Sequence, residues 1–158
     1  MWKDTPGIMI GSHVDDMCVV APLNIRNELK IALEEEGILV NDLGELDTYV
    51  GIQIKRSREQ KRLFLYQEEY SAKVLKIFGM EDCHPVSTPF ENKPMDNNKS
   101  GRNEPLSAED RRKYQKLVGC LLYMMHATRP DFAYTVIRLS QFASAPLTGH
   151  WLALKRVL

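Results

Sequence analysis

Ile8-Met9-Ile10, then His13-Val14-Asp15-Asp16, then Met17-Cys18-Val19-Val20-Ala21 is the stretch whose reading decides the fold. Two short apolar runs flanking a polar turn predict a β-hairpin with two carboxylates at its tip. Adjacent acids held at a turn are hard oxygen donors, the kind that divalent cations prefer. Phosphoryl and nucleotidyl transfer use such ions to activate the attacking oxygen and to stabilise the leaving one. Asp-Asp is also ordinary turn chemistry, because both residues tolerate tight turns and bond nearby backbone donors. The pair alone does not separate the two readings.

Outside this hairpin the composition is that of a globular domain. The 158 residues are 44% apolar and 27% charged, enough for a real core. Lys plus Arg equals Asp plus Glu at 21 each, so a case for nucleic acid or membrane must come from local patches. No apolar run approaches the ~18 residues needed to span a bilayer. Met1-Trp2-Lys3-Asp4-Thr5-Pro6-Gly7 has neither the apolar stretch nor the cleavage site of a signal peptide. Cys18, Cys83 and Cys120 are widely spaced and form no C-x-x-C pair, which favours reduced thiols in an intracellular protein. Cys83-His84 has nothing nearby to complete a four-ligand zinc set.

Along the chain, Asn24 is expected to cap a helix through Glu36, with Ile25, Leu29, Ala32 and Leu33 on one face and Gly37 ending it. Ile38-Leu39-Val40 reads as a short extended piece. Thr48 to Arg56 alternates, and with Leu63-Phe64-Leu65-Tyr66 it predicts a second hairpin around the charged turn at 57–62. Helical period returns over Gln67 to Phe78, closed by Gly79. From Met80 to about Asp110 the period disappears among four prolines, so this long loop at 80–110 reads as a linker or a functional strap. Helices resume at Arg111. Leu117, Val118, Leu121, Leu122, Met124 and Met125 make that helix broadly apolar and hence buried. Pro130 and Asp131 suit the start of the next, which carries Val136, Ile137, Leu139 and Phe142. A last helix carries Trp151, Leu154, Val157 and Leu158. A lone hairpin at one end and an uncapped helix at the other read as a piece of something larger.

Four blocks in order now carry a resemblance. They are His13-Val14-Asp15-Asp16; Asp42-Leu43-Gly44-Glu45-Leu46 with Tyr49-Val50-Gly51-Ile52-Gln53-Ile54; Leu65 through Pro89; and Thr128-Arg129-Pro130-Asp131 with Leu139-Ser140-Gln141-Phe142 and His150-Trp151. The chain resembles the C-terminal half of a copia-type retrotransposon reverse transcriptase, from the metal-binding hairpin of the palm through the thumb. The resemblance implies an α+β fold: a partial right-hand palm over 1–66 with its catalytic and primer-grip-like hairpins, then a helical thumb or connection over 67–158. It implies RNA-directed DNA polymerase activity by two-metal nucleotidyl transfer, with Asp15 and Asp16 as catalytic residues and as ligands of Mg2+. The third carboxylate and the fingers lie upstream of this block in the family. The isolated chain is therefore expected not to polymerise, and to hold magnesium weakly. His13 stands where the family has Tyr, which changes the ring beside the primer end.

Lys55, Arg56, Arg58, Lys61 and Arg62 surround the second hairpin turn, and the resemblance inclines them toward template–primer contact. A solvated turn is the plain alternative. Arg129 is expected to fix a helix junction through Asp131. Implied partners are an RNA or DNA template–primer and the rest of the Pol polyprotein, namely fingers, integrase and ribonuclease H. The implied location is a cytoplasmic particle or the nucleus, with no membrane involvement. A rival reading is a decayed or repurposed remnant that binds nucleic acid or protein without catalysis.

Overall fold

Two helices end the same way, and the glycines that follow them show why. At Gly37 (φ +80°) the backbone N–H donates to Glu34 O, and Ile38 N–H reaches back to Leu33 O. At Gly79 (φ +62°) the matching pair is Gly79 to Lys76 O and Met80 to Leu75 O. Both are left-handed caps that satisfy the last helical carbonyls, and a Cβ would strain them. The computed structural model describes residues 7–90 and 104–158. Its order of elements is β1 (Met9–His13), β2 (Asp16–Val20), α1 (Leu23–Glu35), β3 (Thr48–Tyr49), β4 (Ile52–Ser57), β5 (Arg62–Tyr66), α2 (Glu68–Ile77), α3 (Ala108–Ala127), a single 3-10 turn (Pro130–Phe132), α4 (Ala133–Ser140) and α5 (Thr148–Lys155). The fold is mixed α and β, with two small sheets and five helices among the described residues.

The chain divides into two compact units, Met1–Phe64 and Leu65–Leu158. The first holds the antiparallel β1–β2 hairpin, in register from Met9↔Val20 to His13↔Asp16, together with α1. It also holds β3, which pairs antiparallel with β4 as Thr48↔Gln53 and Tyr49↔Ile52. Strand β5 neighbours β4 on the other side. No described residue of this unit is buried. Along α1, Ile25, Leu29 and Leu33 are half-buried, while Ala32 is exposed.

The second unit contains the core. Tyr114, Leu117, Val118, Leu121 and Met124 on α3 pack with Val74 of α2, Phe132 of the 3-10 turn, Val136 and Leu139 of α4, and Leu154 of α5. Tyr114 is fully buried, and its hydroxyl donates to Leu139 O at 2.7 Å, so its polar end is satisfied as burial requires. The segment after α2 returns to this unit: Phe90 meets Tyr134 edge-on, and Arg156 donates to Thr88 O. Ahead of α3, Leu106 N–H donates to Pro146 O, and Pro105 bridges Leu147. The loop expected at 80–110 is thus pinned at its described margins, and residues 91–103 lie outside the described residues.

Four expectations need correction. Helix α1 starts at Leu23, not after an Asn24 cap, and no side chain caps it. The run from Thr48 to Arg56 is two strands, divided by a tight turn at Val50-Gly51 where both φ values are positive. Helix α3 begins at Ala108, three residues before Arg111, because Ser107 accepts from Asp110 N–H and donates to its carboxylate. Ile137, expected in the core, is half exposed.

Candidate active site

The β1–β2 turn is two residues long, Val14 and Asp15, flanked by the His13↔Asp16 pair. Val14 has φ +51°, and of these two only Val14 is left-handed. That is the pattern of a II′-type hairpin turn, in which glycine is favoured at the first central position. A β-branched residue there carries strain of about 1–3 kcal/mol. Asp15 sits at the tip and Asp16 opens β2, on the sheet face shared by His13, Gly11 and Cys18. Both carboxylates are exposed.

Below the tip runs a groove of about 460 Å³, lined by both aspartates, Met17 and Val19 of β2, Arg26 and Leu33 of α1, and the segment from Ile38 to Tyr49. Asp42, Glu45 and Asp47 line it as well. Arg26 places a buried Nε there that meets no acceptor among the described residues. Among the described residues no three acids, histidines or cysteines come together as a metal-binding group. The donor chemistry of Asp15 and Asp16 therefore suits magnesium, and the donor number is short of a closed site.

The basic residues sit around the β4–β5 hairpin without forming one surface. Lys55 and Arg56 are consecutive on β4, so their side chains leave opposite faces. Arg58 and Lys61 lie in the turn and Arg62 opens β5, all exposed. Arg58 is already engaged: its guanidinium donates to Glu45 at 2.7 Å. Sequence reading missed this pair because the two residues are thirteen apart and meet only once β4 has folded back past 45–47.

Arg129 does what the sequence led us to expect. It donates to both carboxylate oxygens of Asp131, each at 2.9 Å, and its guanidinium lies over the Phe132 ring. The hydrogen bond from Arg129 lowers the Asp131 pKa, and the same bond raises that of Arg129. Next to it, Thr128 donates to Gln67 at 2.8 Å, tying the end of α3 to the start of α2. Gln67 was not singled out from the sequence, although it is buried.

A family described as reverse transcriptase (RNA-dependent DNA polymerase) matches residues 3–92, which include the hairpin tip, the groove and β3–β5. The chain belongs to the reverse transcriptase family. Among its relatives is the retrovirus-related Pol polyprotein from transposon TNT 1-94 of Nicotiana tabacum, 32% identical over 96% of this chain and 12% of that protein. The Pol polyprotein from transposon RE2 of Arabidopsis thaliana is 33% identical over 92% of the chain and 10% of its own length. An uncharacterized mitochondrial protein of the same plant is 33% identical over 92% of the chain and 58% of its length. The chain thus spans about a tenth of the Pol polyprotein relatives and just over half of the mitochondrial one. No solved structure matches it. No helix among the described residues is long and apolar enough to cross a membrane.

Proposed function

We propose that this chain supplies the carboxylate hairpin and part of the primer–template surface of a copia-type RNA-directed DNA polymerase. The observation that carries the reading is the placement of Asp15 and Asp16 on a strained two-residue turn, inside the residues that match the reverse transcriptase family. In the assembled palm, Asp15 and Asp16 would hold Mg2+, which would supply the positive charge that polarises the triphosphate and acidifies the primer 3′-hydroxyl. The two-residue turn sets Asp15 at the hairpin tip. The β4–β5 hairpin offers Lys55, Lys61 and Arg62 to phosphates, with Arg58 released from Glu45 on contact. The helical unit belongs to the thumb or connection. By itself the chain does not polymerise, because two carboxylates leave the metal site incomplete.

One observation favours a second reading, a remnant with a non-catalytic interaction role. None of the first unit's described apolar residues is buried. A chimera separates the two. Residues 1–158 replace the matching block of the tobacco transposon polyprotein, and magnesium-dependent primer extension is measured. Asp15→Asn and Asp16→Asn should each lower extension by a factor of about a thousand, roughly 4 kcal/mol of barrier. A chimera that never extends, although folded and bound to template–primer, would establish the remnant.

A further inference from the structure

Thr88-Pro89 is one of two places in the sequence where a side-chain hydroxyl directly precedes a proline, the other being Thr5-Pro6. It lies in Val86-Ser87-Thr88-Pro89-Phe90, which belongs to no helix or strand. Proline disfavours helical backbone at the residue before it, so Thr88 is held extended. Pro89 also brings no N–H of its own. Thr88 is exposed, as are Val86 and Ser87 on its N-terminal side. An exposed hydroxyl on extended chain, followed by a residue that donates nothing, is the shape a proline-directed protein kinase takes into its cleft. Opening the segment to admit a kinase breaks no helical or sheet ladder.

A cation stands beside this hydroxyl. Arg156, half-buried in the residue after α5, donates from Nε to Thr88 O at 3.2 Å, and its Nη2 stands 3.5 Å from Thr88 Oγ1. Two residues on, Phe90 meets Tyr134 edge-on with ring centroids 5.9 Å apart, so the segment rests on the helical unit at two points. At 3.5 Å the contact to the neutral hydroxyl is at the weak end of hydrogen bonding. A phosphoryl group on Oγ1 would bring nearly two negative charges and three acceptor oxygens into the same space. A guanidinium fork takes such oxygens in pairs, through charge-assisted bonds. The C-terminal end of α5 opposes an anion, but it sets a partial charge against the full charge of Arg156.

We propose that Thr88 is a phosphorylation site for a proline-directed protein kinase, and that Arg156 receives the phosphate and locks the 86–90 segment onto the helical unit. In the transfer, Thr88 Oγ1 attacks the γ-phosphorus of a nucleoside triphosphate. The bond from that phosphorus to the β,γ-bridging oxygen breaks, the nucleoside diphosphate leaves, and the hydroxyl proton passes to a base of the kinase. A weak neutral contact becomes a paired ionic one. The site is independent of the polymerase reading, since Thr88, Phe90, Tyr134 and Arg156 all belong to the second unit.

The test incubates the 158-residue chain with a purified proline-directed kinase, ATP and magnesium, and locates the phosphate by fragment-ion mass spectrometry, which reads Thr5 separately. Thr88 should be modified, and at least tenfold more slowly in Pro89→Ala. In the product, amides of Ser87, Thr88 and Phe90 should exchange at least tenfold more slowly than before. Phosphorus NMR should place the second ionisation of the phosphate below the value of about 6 for a free one, because a neighbouring cation favours the dianion. Arg156→Gln should accept the phosphate and lose both effects. A folded chain that takes no phosphate on Thr88 overturns the proposal. So does a phosphate that neither slows exchange nor lowers the ionisation, or protection that persists in Arg156→Gln. Should Arg156→Gln fail to fold, the ionisation in the unsubstituted chain decides: a value of about 6 overturns the role of Arg156.

Discussion

Tyr114 concentrates several consequences in one side chain. Its ring is fully buried, it packs against Trp151, and its hydroxyl ends on Leu139 O. Tyr114→Phe removes that hydrogen bond and leaves the carbonyl only the Phe142 N–H, at a cost of about 1 kcal/mol that urea denaturation of the chain should read directly. Burial also pushes the phenol pKa well above 10, and burial with a hydrogen bond to Cys120 pushes Tyr70 up to about 12. A raised folded-state pKa stabilises the folded state fully below the unfolded value near 10, and the gain is lost as pH rises through the folded value. Stability should therefore be flat from neutral pH to about 10 as far as these groups decide it, then fall. Alkaline titration of Tyr114→Phe should show a shallower fall. Val14 illustrates the opposite case at the same scale: its left-handed backbone is the one feature of the carboxylate turn that its residue type argues against.

At the scale of elements, the helices were legible and the first-unit strands only partly so. Leu117, Val118, Leu121 and Met124 were expected in the core and lie there, because α3 meets its partners within the described chain. Gly37 and Gly79 ended their helices as read. The Ser107-x-x-Asp110 box was an available signal for the start of α3 and went unused. The Val50-Gly51 turn was hidden for a physical reason. Alternating Val50, Ile52 and Ile54 mimic one continuous strand, and valine is a poor predictor of positive φ. Asp15 and Asp16 were found by residue type and flanking pattern; the Glu45–Arg58 pair needed the fold. Burial separates the helices energetically. Leu121→Ala on α3 should cost about 2–5 kcal/mol by cavity formation, and Ile31→Ala on α1, where Ile31 is 56% exposed, should stay within about 0.5 kcal/mol. Thermal melts of the two variants check the contrast.

For the whole molecule, the division of burial is the dominant fact. Among the described residues, all the buried apolar side chains belong to Leu65–Leu158 and none to the first unit. Cooperative stability scales with buried apolar area, so the two units should open at different free energies. Native-state hydrogen exchange should find amides of α3 and α4 protected up to the global stability of the chain. Amides of β1, β2 and α1 should exchange at least a hundredfold faster. Equal protection in both units would mean that the first has a cover the described residues do not reveal.

The same division bears on how copies of this sequence would drift. A polar replacement at Leu121 or Val136 is removed by the chain's own folding, whereas one at Met9, Ile10 or Leu39 (98% exposed) meets no such penalty. Nothing among the described residues polices those positions. In a lineage where the chain lives alone, mutation should erode the apolar letters of the first unit and spare those of the second; in a lineage where both endure, something still covers the hairpin.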